Sequence, residues 1–165
     1  MLDTDLLVAL AGIAGIFVGF GALISGTSSP NDLWLVRSIV TQGLMVIAAA
    51  LVPIPIAAYG VTSHQLWVVC ALAVLALDWA VILFLHSRRE YMAFQILQGR
   101  GTRVAIGIAA LLLEVPFQGA LILILLGQSP DVDRALYLTA VILALFQAAA
   151  LLVILVYSRG RPAAA

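Results

Sequence analysis

A carboxyl and an amide lie close together inside a long apolar run, in the stretch LLLEVPFQGA at residues 111–120. Glu114 and Gln118 are one helical turn apart, so both side chains fall on the same face of a helix. Pro116 lies between them and has no backbone N–H, which frees the carbonyl near residue 112 from its helical hydrogen bond. A carboxyl, an amide and a freed carbonyl at mid-membrane are typical of a path for protons or cations.

Other polar side chains lie at a similar depth in neighbouring apolar runs. At about 1.5 Å of rise per helical residue, counted from the arginine-flanked boundaries, Asp78 and Gln42 fall roughly 12 Å deep. Glu114 and Gln147 fall roughly 16 Å deep by the same count. Four runs each contribute one polar side chain to nearly the same layer. This coincidence favours one connected polar cluster inside a helix bundle.

Two interpretations of this layer remain open beside a ligand-binding role. In the first it conducts protons or cations, and Arg37, which is shallower, reaches inward to pair with Asp78. In the second, the carboxyl of Glu114 bonds to Gln147 and only fixes helix packing, at about 0.6 kcal/mol per hydrogen bond. The residues predicted for the ion or proton pathway are Glu114, Gln118, Asp78, Gln147, Gln42 and Arg37.

The composition predicts that lipid surrounds these residues. The 165-residue chain is 64% hydrophobic and 10% charged, with a mean hydropathy of +1.18, whereas soluble domains carry about 25% charged residues. No soluble fold of this length has enough interior to bury so much apolar surface. The formal net charge of zero gives no sign of a nucleic-acid partner.

We predict an all-α integral membrane protein with one transmembrane domain, a five-span helix bundle. The arginine-rich loop at 87–103 and the C-terminal tail fall on the same side of a five-span chain, which predicts a cytoplasmic C-terminus and an N-terminus outside. The chain has no lysine and is rich in alanine and leucine, which suggests the inner (plasma) membrane of a bacterium. The predicted spans are about 5–25, 33–58, 65–86, 104–127 and 135–157.

The arginine-rich loop also carries a predicted lipid contact. Four arginines, Arg88, Arg89, Arg100 and Arg103, flank an apolar stretch at 91–98 with roughly helical spacing. Such residues can bind anionic lipid headgroups at the inner interface. The alternative is that they only enforce the orientation of the spans.

Small residues follow one face of the first span, where Gly12, Gly15 and Gly19 allow a second helix to approach closely. The partner is either another span of the same chain or a second copy in a homo-oligomer. The second span ends with Pro53 and Pro55. These prolines indicate a helix terminus, or alternatively a hinge or vestibule at the outer surface.

The sequence carries no familiar catalytic or metal-binding signature. The absence of lysine excludes a Schiff-base cofactor linkage, and the single cysteine, Cys70, forms no disulfide within the chain. Nucleophile-elbow, HExxH and phosphate-loop motifs are missing. His64 and His86 each stand without a second histidine at ligand spacing. We therefore predict no catalytic residue, no metal and no cofactor.

The leading hypothesis is a small channel or transporter that passes protons or small cations along the polar layer centred on Glu114. Its predicted partners are the lipid bilayer and further copies of itself in a homo-oligomer. The first alternative is a scaffold or accessory subunit of a larger membrane complex that transports nothing. The second is a small enzyme or binder of lipid-soluble molecules.

Overall fold

The structure is a computed structural model that describes residues 4–26, 33–86, 100–127 and 130–159. These residues are helical apart from short connections, and they contain no strand. The α-helices are α1 (Thr4–Ser25), α2 (Leu33–Leu51), α3 (Pro53–Ala58), α4 (Ser63–His86), α5 (Arg100–Leu126) and α6 (Asp133–Arg159), and a 3-10 turn at Pro130–Val132 precedes α6.

Several of these helices are long and apolar enough to cross a membrane, as predicted. Within the described residues four stretches meet this criterion: Thr4–Ser25, Leu33–Ala58, Ser63–Leu85 and Pro130–Val156. The described apolar part of α5, Ala110–Leu126, is shorter. The second of the four stretches comprises α2 and α3 together, which supports the prediction that residues 33–58 form one apolar unit.

The long helices run antiparallel, so their ends gather in two groups. We call one the arginine end; it holds Ser25, Leu33, His86, Arg100 and Arg159. The other is the histidine end, where α3 finishes and where α4, with His64 in its first turn, and α6 begin. Leu35, Ile39 and Leu155 form a small core near the arginine end. A larger core fills the middle of the bundle and its histidine end.

The closest helix pair is α1 and α2, and two glycines permit it. A Cβ atom on Gly43 would lie 2.6 Å from Val18 Cγ2 and 3.3 Å from the carbonyl oxygen of Ala14. A Cβ atom on Gly21 would lie 2.6 Å from Val40 Cγ2. A side chain at either position would force these valines or the helices to shift, so the glycines permit the close spacing of α1 and α2.

The outer surface of the bundle is apolar. Leu23, Leu83, Leu112 and Val115 are among many large hydrophobic side chains that are more than half exposed. A soluble monomer rarely exposes so continuous an apolar surface, whereas a bundle surrounded by lipid requires one. The exposed side chains therefore agree with insertion in a membrane.

The prolines interrupt the second apolar stretch at the predicted place. α2 ends at Leu51, Val52 keeps right-handed helical dihedral angles, and α3 starts at Pro53. The backbone N–H of Val52 still donates to the carbonyl of Ala48 at 2.9 Å. α2 therefore ends directly before the prolines, and the chain continues toward the histidine end as a short second helix that starts at Pro53.

Candidate functional site

Four helices bring their polar side chains together near the middle of the bundle. Gln42 of α2 donates from Nε2 to Oε1 of Gln147 in α6, at 2.6 Å. Gln147 in turn donates from Nε2 to Oε2 of Glu114 in α5, at 2.8 Å. These two bonds connect α2, α6 and α5 through side chains alone.

A second amide extends the connection to α4. The Nε2 atom of Gln118 donates to Oε1 of Glu114 at 2.5 Å and to Oδ2 of Asp78 at 3.1 Å. The two carboxyl groups therefore share one amide nitrogen. We call the five side chains joined in this way the polar layer: Gln42, Asp78, Glu114, Gln118 and Gln147.

The local sequence of α5 explains how one helix supplies both a carboxyl and the amide that bridges it. Glu114 and Gln118 are one turn apart, and the helix continues through Pro116 between them. Phe117 and Ala120, on the same helix, are buried in the core. This packing fixes the rotation of α5, so the face carrying Glu114 and Gln118 points toward α4 and α6.

The polar layer holds more hydrogen-bond acceptors than donors. Both N–H groups of Gln118 are used by the two carboxyls, and Gln147 spends one N–H on Glu114. Each carboxyl oxygen has lone pairs beyond those these bonds occupy. Asp78 is only 2% exposed, so its charge is screened weakly by solvent. The layer therefore attracts a proton or another cation that can donate hydrogen bonds.

A cavity of about 200 Å³ reaches the polar layer from the arginine end. Glu114, Gln147 and Gln42 line its inner limit, and Trp34, Leu85 and Ile154 line it near the helix ends. Ser38, Ala110, Leu113, Ala150 and Leu151 complete the lining. Glu114 therefore borders this cavity on the side of the polar layer that faces the arginine end.

On the other side of the layer the bundle is closed by packed apolar side chains. Phe117, Leu121 and Tyr137 are fully buried. The hydroxyl of Tyr137 donates to the carbonyl oxygen of Ala49 at 2.6 Å, and the Tyr137 ring lies 5.3 Å from that of Trp67, centroid to centroid. This core separates the polar layer from the histidine end.

No family model, curated protein or solved structure matches the chain. Function is therefore inferred from the site alone.

The structure does not include Arg37 in the polar layer. Its side chain is exposed on α2, whereas Asp78 is buried and hydrogen bonded to Gln118. The other five residues predicted for the pathway are the five that the hydrogen bonds connect.

The small-residue face of α1 makes no close contact with the rest of the described chain. A Cβ atom on Gly12, Gly15 or Gly19 would meet no heavy atom within 4 Å. The face on which α1 packs against α2 is instead marked by Ala14 and Gly21. Packing of the predicted glycines within the chain is therefore not observed, and their role in an oligomer stays a prediction.

The predicted lipid-contact arginines lie largely beyond what the structure describes. Arg88 and Arg89 are outside the described residues. Arg100 and Arg103 lie in the first turn of α5, which places their backbones at the arginine end. Among the described residues, no group of three His, Cys, Asp or Glu side chains could hold a metal ion.

A histidine and an aspartate that the sequence did not indicate as partners meet at the histidine end. His64 Nδ1 lies 2.5 Å from Asp133 Oδ2, and Asp133 is only 1% exposed. His64 borders a cavity of about 680 Å³ that Thr62, Asp131 and Arg134 also line. The two residues are 69 positions apart, but both fall at predicted span starts on the same side of the membrane. This shared position at the membrane boundary is the one feature of the sequence that could have indicated the contact.

Proposed function

We propose that this protein is a five-span membrane channel or transporter that moves protons or small cations through the polar layer. The observation that carries the proposal is the unbroken series of hydrogen bonds from Gln42 through Gln147, Glu114 and Gln118 to Asp78. Intramembrane carboxyls linked in this way are the usual components of proton and cation relays.

The route begins in the cavity at the arginine end and meets Glu114 first. Asp78 lies one amide further into the bundle, because Gln118 bonds to both carboxyls. A cation that leaves Glu114 therefore has a second carboxyl within reach of the same amide. The apolar core around Phe117 and Tyr137 has to open before the ion reaches the histidine end. The geometry supports a carrier open to one side, or a channel in its closed state.

The orientation we propose follows the arginines. The arginine end is cytoplasmic and the N-terminus lies outside, which places the accessible cavity on the inner side of a bacterial plasma membrane. Copies of the chain associate through the open face of α1 that carries Gly12, Gly15 and Gly19.

A scaffold role is the second candidate, because one observation favours it. Each of the three amides in the polar layer donates a hydrogen bond to another member of the layer. A satisfied network of this kind fixes helix register without transporting anything. In that case the chain would be an accessory subunit that purifies with a partner.

Flux into proteoliposomes separates the two candidates. The full-length chain is reconstituted with a trapped pH-sensitive dye, and a potassium diffusion potential drives proton entry. We expect dye acidification with the wild type and the background rate of protein-free vesicles with Glu114→Gln, which keeps the shape of the side chain but cannot exchange a proton.

The matched control is Leu112→Met, a change at an exposed position two residues away on α5. It should transport like the wild type. All three proteins are compared at the same oligomeric state and thermal stability. Absence of flux of protons and of small alkali cations in the wild type would reject transport and leave the scaffold, whereas equal flux in wild type and Glu114→Gln would remove the polar layer from the route.

A further inference from the structure

We propose that the cavity at the arginine end binds a small lipophilic ammonium ion, with the nitrogen at Glu114 and the hydrocarbon along the apolar walls. This inference rests on the proposed function, because it names the class of cation that the polar layer accepts. It concerns an organic cation that fills the cavity, beyond the proton or metal ion that a carboxyl alone would accept.

The distribution of polarity in the cavity determines the shape of its ligand. Polar groups line one end, where Glu114, Gln147 and Gln42 meet. The walls that lead to the arginine end are mostly aliphatic, with Leu85, Leu113, Ala150, Leu151 and Ile154, one indole, Trp34, and one hydroxyl, that of Ser38, which donates to the carbonyl oxygen of Trp34. A hydrated metal ion would make no favourable contact with such apolar walls. An amphipathic molecule with a single polar end matches them along their full length.

The hydrogen bonds at the polar end determine the charge of the ligand. Gln147 donates toward Glu114, and Gln42 donates toward Gln147, so the donors of these amides point along the layer. The remaining lone pairs of the Glu114 carboxyl oxygens can only accept hydrogen bonds. The oxygens of a carboxylate ligand would face the acceptor oxygens of Glu114, and no hydrogen bond could form between them. A protonated amine supplies both the positive charge and the N–H donors that this end lacks.

The volume of the cavity limits the size of the ligand. About 200 Å³ is available, and an apolar protein cavity of about 150 Å³ is large enough to bind benzene. One phenyl ring with a short aminoalkyl group therefore fits, whereas a fused polycyclic amine does not. The indole of Trp34 adds an aromatic surface of the kind that attracts organic cations.

Benzylamine and benzyl alcohol form a matched pair of probes. They have nearly the same shape, but at neutral pH only benzylamine carries a positive charge. Binding of each to the purified full-length protein in detergent micelles is measured by saturation-transfer NMR and by calorimetric titration. We expect benzylamine to bind the wild type roughly tenfold or more tightly than benzyl alcohol, because a desolvated charge pair forms only with the amine.

Two variants test the position of the ligand. Glu114→Gln should remove the preference for benzylamine and leave both probes equally weak. Ala150→Leu, which fills part of the cavity, should weaken both probes by roughly tenfold or more because it occupies their volume. Its matched control is Ala135→Leu, which makes the same change at an exposed position of α6 and should bind like the wild type.

The outcomes distinguish this inference from the proposed function. If benzylamine binds no better than benzyl alcohol, or if Ala150→Leu binds both probes like Ala135→Leu, the ammonium site is wrong. Proton flux measured in the same preparation then decides the proposed function separately. If Glu114→Gln does not fold, the contrast between the two probes in the wild type and the Ala150→Leu comparison still decide the inference.

Discussion

The amide nitrogen of Gln147 lies 2.8 Å from Glu114 Oε2, and this hydrogen bond crosses from α6 to α5 in the middle of the bundle. Gln147 also accepts a hydrogen bond from Gln42 of α2. One amide therefore couples the carboxyl of α5 to two other helices. Any change at Gln147 affects both the packing of these helices and the surroundings of the carboxyl.

The coupling between Gln42 and Gln147 can be measured with a double-mutant cycle. Gln42→Met removes one hydrogen bond and should lower the free energy of unfolding by about 1 kcal/mol, whereas Gln147→Met removes two and should lower it by about 2 kcal/mol. The double variant should show a coupling energy of about 0.6 kcal/mol, the average for interhelical hydrogen bonds in membrane proteins. Unfolding by sodium dodecyl sulfate in mixed micelles provides the measurement.

Leu44→Met is the control for this cycle, since Leu44 is 53% exposed on the same helix. It should change the free energy of unfolding by less than about 0.5 kcal/mol. A coupling energy of zero between the two glutamines would show that their hydrogen bond does not contribute to the folded protein.

The contact between His64 and Asp133 at the histidine end should stabilise the junction of α4 and α6. His64→Ala removes the partner of Asp133 Oδ2, and the carboxylate is only 1% exposed. Leaving a buried polar group without its hydrogen bond costs about 1–3 kcal/mol, and we expect the lower part of this range because the His64 side chain is 36% exposed. Thermal unfolding in detergent at neutral pH measures the effect.

Asp133→Asn added to His64→Ala should recover part of this loss, because an amide leaves no buried charge. Tyr59→Ala, at an 89% exposed residue of the same end, serves as the control. If His64→Ala and Tyr59→Ala destabilise the protein equally, the pair is not a structural contact.

The glycines of the first two helices should divide into two classes. Gly43→Ala places a Cβ atom 2.6 Å from Val18 Cγ2 and 3.3 Å from the carbonyl oxygen of Ala14, so Val18 or the backbone of α1 has to shift, at a cost of about 1–3 kcal/mol. Gly15→Ala meets no heavy atom within 4 Å among the described residues and should not destabilise the fold. Unfolding midpoints in sodium dodecyl sulfate distinguish the two classes.

Gly15→Leu extends this test to the predicted homo-oligomer. A bulky side chain on the open face of α1 should disrupt association of copies through Gly12, Gly15 and Gly19 without unfolding the chain. Light scattering coupled to size-exclusion chromatography reports the mass of the complex. An unchanged mass in an oligomer would place the interface elsewhere, and a monomeric wild type would reject the oligomer itself.

The sequence could predict the polar layer because depth along a helix follows from counting residues. Glu114 and Gln147 fall at the same depth by this count, and they are hydrogen bonded in the structure. Rotation about each helix axis is not accessible in this way. The exposed position of Arg37 on α2 depends on which side of α2 packs against α6. The residue count placed Arg37 at a shallower depth than Asp78, and the prediction that its long side chain reaches inward took no account of this rotation.

Contacts between residues that are far apart in the sequence could not be predicted either. The pair of His64 and Asp133 depends on α4 and α6 starting at the same end and lying side by side. The order of spans predicts the shared end, but their arrangement around the bundle comes only from the packed structure. The close approach of Gly43 to α1 could not be predicted for the same reason. Small residues lie on several faces of α1 and α2, and the sequence does not show which of these faces pack together.

The central claim is that the carboxyl of Glu114 carries the transported ion, and carbodiimide modification tests it directly. Dicyclohexylcarbodiimide forms stable adducts with carboxyl groups in apolar surroundings. Trypsin places Glu114 in the peptide 104–134 and Asp78 in the peptide 38–88, and fragmentation in the mass spectrometer distinguishes Glu114 from Asp131 and Asp133 of the same peptide. Proteoliposomes are labelled to increasing extents, and proton flux is measured at each step. We predict that flux falls in proportion to the labelled fraction of Glu114 and reaches background when labelling is complete. Flux that persists with Glu114 fully modified would contradict the claim.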